Sequence, residues 1–233
     1  MRPAIVFAFR DMGVPERAAA FALVAKHFAM LGWPIVVEGL QGLEFGRATA
    51  INHGVQRAIH EHRADVILQV DPDSLITYHQ AKAAMNRAKF RDGLVVAFER
   101  YLYTDQDTGR AILDGVRDWR SVGPDDCDSH GIGGVGNAVA FSVRTWDRAD
   151  RFDERFGVWG GDDGAFDYAC RAMVGPTLRV PGDMVHLWHP RLPQSEPGTP
   201  GYQEQWAILS EYIQASQVGP AAVADVIARR ACS

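Results

Sequence analysis

Apolar and polar positions along the first hundred residues fall into alternating blocks. Ile5-Val6-Phe7-Ala8-Phe9 is a short apolar run rich in β-formers, which predicts a buried strand. Arg10 to Pro15 is a polar turn, and Pro15 suits the first turn of a helix. From Glu16 to Leu31 the apolar residues Ala20, Leu23, Val24, Phe28 and Leu31 recur near helical spacing, and Gly32 marks a stop. Pro34 to Glu38 reads as a second strand. Arg47 to His62 reads as a helix with Ile51, Val55 and Ile59 on one face. Val66-Ile67-Leu68-Gln69-Val70 is a third strand, which ends at Asp71-Pro72-Asp73. Ser74 to Lys89 reads as a helix, and Gly93 to Phe98 as a fourth strand. Strand and helix thus alternate four times. That order predicts an α/β fold, a mainly parallel sheet flanked by helices in a single domain.

The second half is less regular. Gly131 to Gly136 reads as a flexible loop, Asn137 to Val143 as a strand and Arg144 to Arg151 as a short helix. Phe152 to Asp163 is aromatic and glycine-rich, and Gly164 to Met173 is helical in pattern. Leu178 to Val180 and Met184 to His189 are candidate strands. The proline-rich stretch 190–201 reads as a loop, and Tyr202 to Gln214 and Ala221 to Arg230 as terminal helices. The expected organisation is one domain over 1–201, with halves at 1–100 and 101–201. A helical extension over 202–233 follows.

Composition narrows the function class. The 233 residues carry a net charge of -5, and the basic residues are dispersed, with lysine only at positions 26, 82 and 89. A nucleic-acid partner calls for a basic patch or stripe, so none is expected. Cys127, Cys170 and Cys232 are three and far apart, which argues against a disulfide framework or a cysteine metal site and for reduced thiols. The N-terminal apolar run lacks the length and cleavage site of a signal peptide. No stretch approaches the roughly 20 apolar residues that span a bilayer. The expectation is a soluble, cytoplasmic protein.

Three clusters carry candidate chemistry. Asp71 and Asp73 follow a buried strand, and ligands of open α/β sheets bind beyond the carboxyl ends of the strands. Carboxylates suit Mg²⁺ or Mn²⁺, and such a cation stabilises a departing diphosphate. The same tripeptide also reads as a turn that caps the next helix. In the second cluster, from Phe152 to Asp163, the glycines allow close backbone approach and Trp159 offers an apolar platform for a sugar face. Asp162 and Asp163 there fit a general base and an acceptor of sugar hydroxyls. Acidic residues after a glycine turn equally suit a helix N-terminus. In the third cluster, His186-Leu187-Trp188-His189-Pro190, imidazole can complete a carboxylate metal site. Strand alternation sets His186 and Trp188 on one face and Leu187 and His189 on the other. Arg10, Arg17 and Arg47 lie at or just beyond strand edges, where arginine pairs with phosphates.

In that order these segments resemble GT-A-fold glycosyltransferases. The residues that carry the resemblance are the Arg-bearing turn after strand one, Arg47-Ala48-Thr49-Ala50-Ile51-Asn52-His53-Gly54, the DxD-type Asp71-Pro72-Asp73, and Phe152 to Asp163. The last is similar to a segment of β-1,4-galactosyltransferases, chondroitin-polymerase-type domains and polypeptide N-acetylgalactosaminyltransferases, and Phe166 and Arg171 continue that pattern. His186 to Pro190 resembles the later histidine motif. The resemblance spans roughly residues 3–191, and Trp159-Gly160-Gly161-Asp162-Asp163 is its specific part.

The resemblance implies a metal-dependent glycosyltransferase. A nucleotide-sugar, with UDP as the expected nucleotide, would donate a hexosyl or N-acetylhexosaminyl group to a glycan or protein hydroxyl. It implies that Asp73 binds Mn²⁺ or Mg²⁺, that Asp71 meets the donor ribose or the metal, and that His189, then His186, completes the ligand set. Asp163 aligns with the base or acceptor contact and Asp162 with its neighbour. Arg10, Arg17, Arg47, Asn52, Gln69, Trp159, Gly160 and Gly161 fall to the nucleotide-sugar. Pro72 inside the motif, Asp-Asp in place of Glu-Asp, and the lack of a membrane stem depart from the pattern. The last suits a bacterial or phage-encoded member. The resemblance leaves inversion or retention open. Two other functions fit the architecture: a nucleotidyltransferase activating a sugar phosphate, and a non-catalytic nucleotide-sugar-binding protein. The first usually carries lysine in a glycine-rich loop after strand one, which Arg10 to Pro15 lacks.

Overall fold

Val66 to Val70 is buried at every position, because this strand lies inside the principal sheet with a neighbour on each side. The computed structural model describes residues 1–41, 45–157, 160–190 and 197–230. In chain order the first elements are β1 (Pro3–Ala8), α1 (Pro15–Ala29), β2 (Ile35–Glu38), α2 (Arg47–His62) and β3 (Val66–Val70). β1 pairs in parallel with β2 and with β3. Helix α2 lies close over β1. A Cβ on Gly54 would stand 2.6 Å from Val6 Cγ1, so only glycine allows that approach.

A helix predicted from Ser74 begins later. Ser74–Leu75 forms a short strand, β4, and α3 (Tyr78–Phe90) starts after Thr77. The start signal is a capping box. The Thr77 hydroxyl accepts from Gln80 N, and the Gln80 side chain accepts from Thr77 N. The fourth strand, predicted over six residues, is paired only at β5 (Val95–Val96). Beyond it Glu99 N donates to the Gly182 carbonyl, and the chain moves into a second sheet at β6 (Arg100–Thr104). Then come α4 (Gln106–Leu113), β7 (Cys127–Ile132), β8 (Ala138–Ser142), α5 (Val143–Arg148), α6 (Asp162–Met173), β9 (Leu178–Arg179), β10 (Asp183–His186), α7 (Pro200–Val218) and α8 (Pro220–Arg230). Gly131 and Ile132, expected in a loop, are strand residues of β7 paired to β6. The sequence pattern gave no sign of β6, α4 or β7.

The principal sheet has the order β2-β1-β3-β8-β5-β9, and β8 runs antiparallel to both its neighbours. The second sheet is β4-β10-β6-β7. The architecture is therefore mixed α/β, a central, mainly parallel sheet flanked by helices. Two of its details build the site. An antiparallel strand enters at the edge where its parallel neighbours leave, so the start of β8 lies beside the end of β3: Val70 pairs with Ala138. In the second sheet β10 pairs with β4, which sets His186 opposite Ser74.

Helices α7 and α8 pack on α6 and on each other. Tyr212 of α7 donates to Asp153 Oδ2 at 2.9 Å, and Arg155 joins the same carboxylate at 2.8 Å to Glu211 at 3.2 Å. The C-terminal helices are thereby tied into the core. Cys127 and Cys170 are free thiols, and Cys232 lies outside the described residues. Among the described residues no helix is long and apolar enough to cross a membrane.

Candidate metal and donor site

Asp73 lies just past the end of β3 with its side chain 8% exposed. His186 Nε2 is 3.3 Å from its Oδ1 and His189 Nε2 is 3.1 Å from its Oδ2. These three residues offer ligand atoms that all lie within 4.8 Å of one another. The predicted split of His186 and His189 onto opposite faces does not occur. Strand β10 ends at His186, Leu187 N donates to the Asp73 carbonyl at 2.8 Å, and the turn that follows brings His189 back to the same carboxylate. Period-2 alternation fails because the strand is shorter than the apolar pattern.

The donor set fits a divalent cation. His189 Nδ1 lies 3.0 Å from the Pro190 carbonyl, which can only accept, so Nδ1 carries a proton. A neutral His189 then turns its Nε2 lone pair toward the Asp73 carboxylate. Two acceptors face each other unless a proton or a cation stands between them. One carboxylate and two imidazoles suit Mn²⁺ or a related transition metal, and the carbonyl behind His189 sets its tautomer as metal-bound histidines require. The electrostatics agree. Burial pushes the Asp73 carboxyl up, yet His186 and His189 hold it well below the usual carboxylate range. Burial lowers the His186 imidazole. Burial also acts to lower His189, but the hydrogen bond and charge of Asp73 raise it.

Asp71 stands outside this set. Its Oδ1 accepts from Arg47 Nη2 at 2.5 Å and from Gln69 Nε2 at 2.9 Å. As the first residue of α2, Arg47 places a cation at the end of a helix that favours anions. Three carboxylates offset it: Asp71, Asp162 and Asp163, the last with Oδ1 2.9 Å from Nη1. Asp162 and Asp163 occupy the first turn of α6, whose dipole favours them. One guanidinium shared among three acids leaves a surplus of negative charge. Burial, with Asp162 and Asp71 beside it, therefore raises the Asp163 carboxyl well above its ordinary value, and Arg47 only partly opposes this.

Several residues at this edge escaped sequence reasoning. Tyr103 of β6 stacks on His186 with centroids 4.3 Å apart, and burial pushes its phenol up to about 12. Asn137 donates to the Tyr103 hydroxyl at 3.1 Å and offers its carbonyl to Asp71 N at 2.7 Å. Gly136 has φ +102°, and a Cβ there would lie 2.6 Å from Asp163 Cγ. The dipeptide Gly136-Asn137, with two consecutive left-handed residues, was the available signal.

The remaining predicted residues divide. Arg17, in the first turn of α1, acts electrostatically on Asp73, His186 and His189, and its buried Nε has no hydrogen-bond partner. Gln69 holds Asp71 by one end of its amide, and its buried Oε1 has no partner. Gly160 and Gly161, at φ +87° and +96°, turn the chain into α6. Arg10 is directed at the Gly39 carbonyl at 2.6 Å and at the Leu40 carbonyl. Asn52, expected to face the nucleotide, is 1% exposed. It donates to the Phe152 carbonyl and Glu154 and accepts from Trp146 and Phe152 N. Both ends of its amide are fully used, so it joins α2 to the 146–154 segment. Trp159 lies outside the described residues.

No protein-family model and no curated protein matches the chain. Solved structures do. The catalytic domain of Drosophila β1,4-galactosyltransferase 7 in complex with xylobiose aligns over 76% of this chain and 63% of its own, at TM-score 0.50 and 18% identity. A mutant of that Drosophila enzyme with manganese, UDP-Gal and xylobiose aligns over the same shares, at TM-score 0.50 and 17% identity. GalNAc-T7 with UDP, GalNAc and Mn²⁺ aligns over 93% of this chain and 50% of its own, at TM-score 0.52 and 12% identity. The chain thus spans less than two thirds of the length of each of these structures, and at such identities the likeness is one of fold. With its antiparallel strand β8 inside a parallel sheet and its acids gathered at one strand edge, the chain has the GT-A fold of these galactosyltransferase catalytic domains.

Proposed function

We propose that the chain is a metal-dependent glycosyltransferase that moves a hexosyl or N-acetylhexosaminyl group from a UDP-sugar to a hydroxyl of a glycan or protein. One observation carries this reading. Asp73, His186 and His189 converge at the same end of β3 as Asp71, and Arg47 links Asp71 there to the acids of α6, in a GT-A fold. Asp73 comes from residues 1–100 and both histidines from residues 101–201.

In this reading Asp73, His186 and His189 hold Mn²⁺, which their mixed oxygen and nitrogen donors favour over Mg²⁺. When bound, the cation neutralises charge on the departing diphosphate. Arg17 supplies a second positive group, and its unpaired Nε suits a phosphate oxygen. Asp71, fixed by Arg47 and Gln69, faces the donor ribose or sugar. Asp163 takes the acceptor proton in an inverting transfer. Its raised pKa brings it closer to the working pH, as a general base requires.

The test is UDP release from a panel of UDP-sugars with Mn²⁺, with and without saccharide acceptors. A protein that neither binds nor cleaves any donor in the panel overturns the proposal. Release of pyrophosphate from a nucleoside triphosphate and sugar phosphate would identify a nucleotidyltransferase instead.

A further inference from the structure

Helix α7 and the turn that enters α6 enclose a half-open cavity of about 130 Å³, well above the roughly 10–15 Å³ that one water needs and on the scale of a single small ring. Gly160 and Gly161 form one wall, and Tyr202, Gln205, Trp206 and Leu209 the other. Three observations give it chemistry. Gln205 is 5% exposed, and its buried Oε1 has no hydrogen-bond partner. An unpaired buried acceptor is costly and is normally met by a donor. Trp206 leaves its large indole 54% exposed on the same helix. Leu209 presses on the start of α6: a Cβ at Gly161 would lie 3.3 Å from Leu209 Cβ, and one at Gly164 would lie 3.2 Å from its Cδ1. The cavity wall is therefore continuous in sequence with Asp162 and Asp163.

We infer that this cavity is a pyranose subsite for the acceptor, built by α7. A pyranose presents an apolar C–H face, which suits an exposed indole, and hydroxyl donors, which suit an orphaned amide oxygen. An acyl chain offers no donor to Gln205. Gly160 and Gly161, which line the cavity, lead directly into the first turn of α6, the turn that carries the proposed base Asp163. The inference rests on the glycosyltransferase reading and adds to its acceptor side the α7 residues Tyr202, Gln205, Trp206 and Leu209, which lie outside the 3–191 resemblance.

The experiment is ligand-observed NMR of the full chain with methyl glycosides of glucose, galactose, xylose and N-acetylglucosamine. A peptide rich in serine and threonine and, separately, Mn²⁺ with UDP complete the panel. The expected result is saturation transfer to at least one glycoside, weakened about ten-fold or more in Trp206→Ala and in Gln205→Leu, the scale of one lost hydrogen bond. The exposed Glu204→Ala control should leave it intact, and Trp206→Phe should restore part of it. Glycoside binding unchanged in both variants overturns the inference. So does binding of Mn²⁺ with UDP but of no glycoside, or a Trp206-dependent signal from the peptide alone. Failure to bind Mn²⁺ with UDP instead counts against the glycosyltransferase reading itself.

Discussion

Arg47 Nη1 lies 2.9 Å from Asp163 Oδ1 and so joins the first residue of α2 to the first turn of α6 across 116 residues of chain. Arg47 also faces Asp71 and Asp162, and its own side chain is only 15% exposed. Removing it leaves three crowded carboxylates without a counter-charge. Breaking a buried ion pair from one side costs about 3–5 kcal/mol. Arg47→Leu should therefore lose stability on that scale in urea unfolding. Arg47→Lys should lose less stability, yet should still lower kcat, because an ammonium cannot reproduce the fork that holds three acids.

Asp163 gives the pH dependence a definite sign. Its folded pKa is raised, by burial first and by Asp162 and Asp71 next. A raised carboxyl favours the protonated native state. Its contribution is fully present below the unfolded value of about 3.9 and is lost as pH rises through the folded value. Asp73 is depressed and acts in the opposite sense, its contribution being lost as pH falls. The comparison of wild type with Asp163→Asn cancels the Asp73 part. The variant should have the higher Tm at pH 7, should lose that advantage as the pH is lowered toward 4, and should be inactive in transfer. An equal or lower Tm at pH 7 would contradict the assignment.

The metal set makes a separable prediction. Mn²⁺ should raise the Tm of wild type, by about 2.7 kcal/mol of apparent stability at 100 times its Kd, and a chelator should reverse the rise. Asp73→Asn and His189→Ala should each abolish most of this gain. Asp71→Asn should keep it, since Asp71 lies outside the ligand triad. Thermal shifts with and without Mn²⁺ decide the matter.

Gly136 carries two constraints that a pair of variants can separate. Its φ of +102° is strained for any residue with a Cβ, and such a Cβ would strike the Asp163 carboxylate. Gly133, at φ +106°, shares the first constraint but has nothing near its absent Cβ. Each alanine variant should lose about 1–3 kcal/mol from backbone strain. Only Gly136→Ala should also displace Asp163 and depress kcat. Equal activity losses would show that strain alone is at work.

Asn52 is a test of placement. Four hydrogen bonds fill its amide at 1% exposure. Asn52→Leu should cost several kcal/mol, at about 1 kcal/mol per bond plus the donors left unpaired. The donor KM of whatever folds should change little. A large rise in KM with unchanged stability would return Asn52 to the nucleotide.

Elements with a long, unbroken apolar signal were legible in the chain alone, whatever partners later cover them. Helix α2 matches its apolar periodicity from Arg47 to His62, and β3 matches its apolar run from Val66 to Val70. Residue chemistry likewise marked Asp73, His186 and His189, because few side chains can hold a cation. Tertiary structure decided what depends on partners far away in the chain. β4 exists only because β10 pairs with it, β6 because it pairs with β10 and β7, and β7 because it pairs with β6. That pairing, not the alternation inside residues 184–189, brings both histidines to Asp73. The antiparallel entry of β8 sets Gly136 and Asn137 beside Asp71 and Asp163, and no local pattern encodes the direction of a neighbouring strand. Asn52 and Arg47 stand five residues apart on one helix. Only their burial and partners separate a residue that fastens the core from one that holds the acids of the site.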